Sequence, residues 1–166
     1  EGLLRSPLTD GSHQHRLEAV MRDVAARTQS TVALNDGSLM PQIGLGLYKV
    51  AARDTRRVVN DAIELGYRGF DTAAMYQNEQ ELGAALRGHP DITVFVTTKL
   101  ANECHGFQAA IDAAERSADK LGVAQIDLYL IHWPLPAQDR YVETWEALEH
   151  LRESGVVRSI GVSNFT

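Results

Sequence analysis

Residue types capable of proton chemistry stand at the ends of several short apolar runs in this chain. Phe70 leads into Asp71, with Tyr76 five residues further on; Val94-Phe-Val-Thr-Thr leads into Lys99. Leu128-Tyr-Leu-Ile leads into His132, and Ile160-Gly-Val leads into the pair Ser163-Asn164. Each has an ordinary reading when taken alone. An Asp after a strand caps a helix or turn, a Lys at a strand end is a solvated rim charge, and a His before Trp-Pro is a satisfied core histidine. Their recurrence at the same end of successive runs points instead to one shared site. Asp, Lys and His could together bind a metal or support a Schiff base of aldolase type. With the tyrosine added, the set suits proton transfer to a carbonyl undergoing reduction.

The elements that must position these residues follow from periodicity. Apolar runs begin near Ile43, Arg68, Thr93, Ile126 and Arg158, and helical patterns fill about 55–65, 79–87, 108–121 and 141–153 between them. Strands alternating with amphipathic helices imply βαβ units and a parallel sheet. The strands expected at 93–98 and 127–131 are almost wholly apolar or β-branched, as burial on both faces demands. Gly66, Gly88, Gly122 and Gly155 supply helix stops. Ahead of these units, Thr31-Val-Ala-Leu, the turn Asn35-Asp36-Gly37-Ser38 and Leu39-Met40 read as a hairpin. Earlier still, Leu17, Val20, Met21, Val24 and Ala25 recur at helical spacing, an extra amphipathic helix within a leader over 1–30.

A doubly wound sheet and a (β/α)8 barrel both use this alternation. A barrel takes ~250 residues, and units of about 25 to 33 residues repeated eight times run well past 200. The chain instead stops directly after its fifth strand, with no helix to cover it. The expected fold is therefore α/β, a partial (β/α)8 TIM barrel over 31–166: a hairpin plus about five βα units.

Composition removes several function classes. The 166 residues, 44% of them hydrophobic, suffice to bury a core, and 16 Lys+Arg against 22 Asp+Glu leave a charge of −6. That balance argues against a non-specific nucleic-acid partner, which needs a basic face. No apolar run reaches the ~18 residues of a membrane span. The acids Glu1, Asp10, Glu18 and Asp23 spoil a transit-peptide reading, and Cys104 alone forms no internal disulfide. A cytoplasmic protein with no membrane partner is the expectation. Gly44-Leu-Gly46 lacks the third glycine of a dinucleotide fingerprint. No P-loop, zinc-spaced Cys/His set or GxSxG elbow is present, and no metal is expected. His13-x-His15 has nothing nearby to complete a site, Cys104 has no evident base, and the glycosylation pattern Asn164-Phe-Thr166 falls in the expected site.

Taken together, residues 31–166 resemble the aldo-keto reductases. The stretches that carry the likeness are Leu34-Asn-Asp-Gly, Met40-Pro-Gln-Ile-Gly-Leu-Gly, Gly66-Tyr-Arg-Gly-Phe-Asp-Thr-Ala, Tyr76-Gln-Asn-Glu, Val96-Thr-Thr-Lys, Asp127-Leu-Tyr-Leu-Ile-His-Trp-Pro and Ile160-Gly-Val-Ser-Asn-Phe. The short loop after Pro134 is most similar to compact bacterial members of the 2,5-diketo-gluconate reductase type. The resemblance implies a barrel that binds NADPH without a Rossmann domain and reduces a small aldehyde or ketone. It carries a catalytic tetrad onto Asp71, Tyr76, Lys99 and His132. Tyr76 would be the general acid, its phenol pKa lowered by the Lys99 ammonium; Asp71 would hold Lys99, and His132 would orient the carbonyl.

Cofactor contacts are implied for Gly46, Leu47, Asp71, Ser163 and Asn164, and substrate walls for Tyr48 and Trp133. Glu79 is read as helix-start electrostatics. Counterparts of the family's last three units, which supply the nicotinamide-stacking aromatic and the 2′-phosphate site, are not found before Thr166. Members are typically monomeric; a sheet arc open at its edges could instead drive association. The alternative function is then a catalytically silent half-barrel acting as an interaction module.

Overall fold

Asp36 and Gly37 make the first turn. The Asp36 carboxylate accepts the Ser38 N–H at 2.9 Å, and Gly37 adopts a φ of +84° that a side chain would strain. This folds β1 (Thr31–Ala33) antiparallel onto β2 (Leu39–Pro41), with Val32 opposite Met40. The hairpin expected from the sequence is thus present in a computed structural model that describes residues 30–165. The leader helix expected before residue 30 lies outside the described residues.

Five parallel strands follow: β3 (Leu45–Gly46), β4 (Gly69–Asp71), β5 (Phe95–Leu100), β6 (Ile126–Ile131) and β7 (Val157–Val162). Between them run α1 (Ala52–Glu64), α2 (Glu79–Leu86), α3 (Phe107–Leu121) and α4 (Tyr141–Glu153). The strands lie in sequential order, β3-β4-β5-β6-β7. A doubly wound sheet reverses its order at a switch point, so this sequential arc is that of a partial barrel.

Register sorts the side chains into two faces, because paired residues of parallel strands point the same way. Phe70 aligns with Val96, and Thr98 with Tyr129, toward the helices; Phe70, Val96, Leu100, Tyr129 and Ile131 are buried there with Val59 and Leu82. The opposite, concave face carries the row Gly46–Asp71–Thr97–Leu128–Ser159 and, one step further, Lys99–Leu130–Gly161. The helices pack in succession, α1 on α2, α2 on α3 and α3 on α4. At the α2–α3 contact a side chain on Gly83 would overlap the Leu121 backbone, so the helices meet there at glycine distance.

Two strand boundaries differ from expectation. The third parallel strand begins at Phe95, because the short β4 offers its first partner at Gly69; Thr93 and Val94 precede the pairing. Lys99 therefore lies inside β5, one residue before its end. The first parallel strand is only Leu45–Gly46, shorter than an apolar run from Ile43 suggests.

Candidate active site

The carboxyl ends of β4, β5 and β6 bring the four expected catalytic side chains together. Asp71 closes β4, and Lys99 reaches sideways from the neighbouring inner row to meet it, Nζ to Oδ1 at 2.5 Å. The same ammonium donates to the Thr72 carbonyl at 2.9 Å. The pair is asymmetric: the Lys99 side chain is 7% exposed and that of Asp71 44%. Tyr76 ends a single 3-10 turn, Ala74–Tyr76, that stops at Gln77 in the left-handed region. Its ring centroid lies 5.3 Å from Lys99 Nζ, 5.1 Å from the Tyr48 ring and 5.7 Å, edge-on, from the His132 ring.

Electrostatics correct one expectation. The Tyr76 phenol is held above its ordinary pKa, first by burial and then by the negative field of Asp71, with Tyr48 adding to it. The Lys99 charge, met by the Asp71 carboxylate at 2.5 Å, is largely offset before it reaches the phenol. Burial, and next the Lys99 ammonium, push the His132 imidazole below its ordinary pKa, with Asp71 opposing. His132 is buried, and its Nδ1 has no hydrogen-bond partner.

Tyr76 and His132 open on a cleft of about 390 Å³ lined also by Tyr48, Met75, Trp133 and Asn164. Tyr48 and Trp133 are 64% and 46% exposed, so both stand on the rim as walls and not in the core. Asn164, at a φ of +62° after β7, donates Nδ2 to the His132 carbonyl at 2.8 Å and to Ser163 Oγ at 3.0 Å. The Ser163 N–H donates to the Ile131 carbonyl. The pair thus ties the end of β7 to the segment that presents His132. Gly46 shares the inner row of Asp71, and a Cβ placed on it would meet nothing within 4 Å, which leaves open space beside the carboxylate.

Leu47 departs from its expected cofactor contact. Its side chain is fully buried in the core, its N–H donates to the Asp71 carbonyl, and its own carbonyl accepts from Asn78 Nδ2. The residue follows β3 on the parity that faces the helices. Glu79 stands at the helix start expected of it and also makes contacts that the sequence did not indicate. It opens α2, but its carboxylate is buried, accepting from Thr98 Oγ1 at 2.7 Å and standing 3.6 Å from Lys120 Nζ. Met75, Thr72 and Asn78 were not singled out from the sequence. Asn78 precedes a helix and so reads as an ordinary N-cap, yet its side chain makes no capping bond.

A sequential parallel arc with its polar cluster at the carboxyl edge defines a (β/α)-barrel architecture with the site in the usual place for that fold. Comparison with known proteins narrows the class. The family model described as aldo/keto reductase family matches residues 42–166. An aldo-keto reductase of Mycolicibacterium smegmatis is 48% identical over 136 residues, 81% of this chain and 50% of the relative. Among solved structures, apo Gox0644 superposes with a TM-score of 0.79 at 51% identity, covering 82% of this chain and 50% of that one. An aldo-keto reductase of Bombyx mori in complex with NADP superposes at 0.76 with 39% identity, covering 82% and 50%. The chain belongs to the aldo/keto reductase family, and it spans about half the length of the relatives it matches. Among the described residues no helix is long and apolar enough to cross a membrane.

Proposed function

We propose that the site reduces an aldehyde or ketone to an alcohol at the expense of NADPH, with Tyr76 as general acid. The observation that carries this reading is that Tyr76 and His132 face one cleft, with the buried Lys99 ammonium of the Lys99–Asp71 pair 5.3 Å from the Tyr76 ring. A carbonyl oxygen lying between Tyr76 and His132 would meet two groups able to donate a hydrogen bond.

One observation supports a nicotinamide cofactor: Gly46 lies beside Asp71 in the inner row, and a Cβ added there would meet nothing within 4 Å, which leaves room for a ligand. A variant of Gox0644 in complex with NADPH, 50% identical to this chain with a TM-score of 0.79, supports the same cofactor. When bound, the reduced nicotinamide supplies the hydride. Asn164 and Ser163 at the cleft edge would hold the carboxamide, and Asp71 would lie against the ring.

The chain's own groups then act on the substrate oxygen. His132, kept neutral by burial, orients the carbonyl and donates a hydrogen bond where negative charge grows. Tyr76 keeps its proton at neutral pH, as a phenol of ordinary pKa ~10 already does, and burial with the Asp71 field holds that proton more firmly still. It delivers that proton to the developing alkoxide. Lys99 and Asp71 fix the electrostatic surroundings of the phenol. Tyr48 and Trp133 present aromatic walls suited to a small carbonyl with an apolar side. A Schiff base at Lys99 is disfavoured, since its ammonium is buried and engaged by both Asp71 and the Thr72 carbonyl.

Substituting Tyr76→Phe tests the assignment. Removal of a general acid costs ~10²–10⁴-fold in turnover. NADPH consumption with a panel of small aldehydes should fall in that range while NADPH affinity, read by quenching of tryptophan fluorescence, stays the same. Wild-type turnover in the Phe variant would remove Tyr76 from the role.

A further inference from the structure

Asn78 is wholly buried and does not border the cleft, yet its side chain bonds two segments that carry the site, the 47–50 turn and Thr72. Its Oδ1 accepts from Thr72 Oγ1 at 2.6 Å. Its Nδ2 donates to the Leu47 and Val50 carbonyls, each at 3.1 Å. The amide nitrogen is therefore engaged by the distant 47–50 turn and the amide oxygen by Thr72, six residues back. A default helix cap would bond the first turn of α2, and this side chain does not.

What these partners do is specific. Leu47 and Val50 bracket Tyr48 and Lys49, and Lys49 sits at a φ of +62°, so the turn they form is strained and Asn78 holds it by both ends. The Tyr48 ring lies 5.1 Å from that of Tyr76, tilted by 49°. Thr72 gives its hydroxyl to Asn78 and its carbonyl to Lys99 Nζ, and its N–H is held by the Thr97 carbonyl. One residue beyond Asn78, Glu79 accepts from Thr98, the neighbour of Lys99. The 3-10 turn bearing Tyr76 is thus pinned from its C-terminal side to β3's loop, β4's loop and β5.

We infer that Asn78 is the positioning residue of this site: by fastening the Tyr48 turn and Thr72 to the base of the Tyr76 turn, it sets where the Tyr76 phenol stands relative to Lys99 and His132. It contacts no reacting atom and acts through Tyr76 and Lys99. A buried amide with every group satisfied suits the task, because loss of any bond leaves an unpaired polar group and a second packing becomes accessible. The kinetic side of this inference rests on Tyr76 being the acid; the geometric side does not.

The test combines turnover with a direct view of Tyr76. Tyrosine ring carbons are isotopically labelled, the Tyr76 resonance is assigned by Tyr76→Phe, and its titration is followed by NMR in the wild type and in Asn78→Ala. A displacement of about 1 Å in a reacting group costs on the order of 10²-fold. We expect kcat to fall by ~10- to 100-fold with KM nearly unchanged, the pattern of an interaction felt in the transition state. The Tyr76 titration moves down toward that of a free phenol as the ring gains solvent. A folded Asn78→Ala protein whose Tyr76 resonance, titration and kcat match the wild type overturns the inference.

Should Asn78→Ala fail to fold, Thr72→Val decides by the same readouts, since it deletes one hydroxyl; Thr72→Ser, which keeps that hydroxyl, should restore the wild-type titration. Failure of the two readings is separable. If Tyr76→Phe retains turnover while Asn78→Ala still shifts the Tyr76 titration, the acid assignment falls and the positioning role stands. If Tyr76→Phe abolishes turnover while Asn78→Ala shifts nothing, the positioning role falls.

Discussion

Replacing Asp71 by Asn keeps the shape of the side chain and an oxygen able to accept from Lys99, and removes only the charge. Two consequences follow with opposite experimental signatures. The bare attraction between unit charges 2.5 Å apart is about 7 kcal/mol at an effective dielectric of 20. The Asp71 carboxylate is 44% exposed, so water and salt already screen much of that, and the amide retains the hydrogen bond. The Lys99 ammonium, however, is buried and would face a low-dielectric surround with neutral acceptors alone. A net loss of about 2 kcal/mol is reasonable, which lowers Tm by about 4–8 °C for a chain of this size. The Tyr76 phenol should respond the other way. Asp71 is one of the groups that hold it above the ordinary range, so its pKa should fall in Asp71→Asn. Calorimetry reads the first effect and tyrosine-labelled NMR over an alkaline titration reads the second. A variant with Tm unchanged, or with the Tyr76 titration static or displaced upward, would refute the account of how this pair and the phenol interact.

Three further outcomes follow from the packing. Thr98→Val, isosteric but without the hydroxyl, strips the buried Glu79 carboxylate of its donor and should cost ~2–3 kcal/mol in urea unfolding, whereas the exposed Thr31→Val should cost almost nothing. Gly83→Ala drives a methyl into the Leu121 backbone where α2 meets α3; a cost of about 3 kcal/mol or more is expected, and a neutral result would mean the helices are not in close approach. Burial holds the His105 and His132 imidazoles below their ordinary pKa, with a hydrogen bond to the Trp133 backbone opposing the shift at His105. The unfolded chain therefore takes up these protons first as pH drops through the ordinary histidine range near 6.5, and stability declines from there downward. His105→Asn should flatten that decline, and an equal slope in both proteins would count against it.

Much of the architecture was legible because its determinants are local. Asp36-Gly37 specifies the first hairpin, and the spacing of apolar residues along α1, α3 and α4 marks one buried face in each. The gathering of Asp71, Lys99 and His132 was legible too, since strand parity and parallel order suffice to align them. What escaped depended on partners remote in sequence. Nothing about a Glu at a helix start distinguishes an exposed charge from one buried against Thr98, because the same residue serves both. The start of β5 was misplaced because Thr93 and Val94 are as β-prone as the residues after them, and only the length of β4 limits the pairing. The direction of the Tyr76 shift was misread for a like reason: the nearby cation is visible in the pattern, but the carboxylate that offsets it matters only once the distance is known.

The alternation of the sheet explains how the ion pair at this site is enclosed at one end and open at the other. Asp71 and Lys99 occupy adjacent rows of the concave face, so their ion pair crosses between rows and leaves the carboxylate half open while the ammonium is enclosed. Part of that enclosure is the Tyr76 ring itself, 5.3 Å from Nζ. The ring therefore shields the ammonium whose partner, Asp71, helps to hold its own proton, and a movement of the ring alters both properties together. A substitution that loosens the ring, wherever it lies, hydrates the ammonium and acidifies the phenol in one motion. Acid strength at Tyr76 is then set by how tightly the β4–α2 loop is held as much as by the charges beside it. Substitutions at Asn78 and at Asp71 should consequently move the same titration in the same direction, one through geometry and the other through charge.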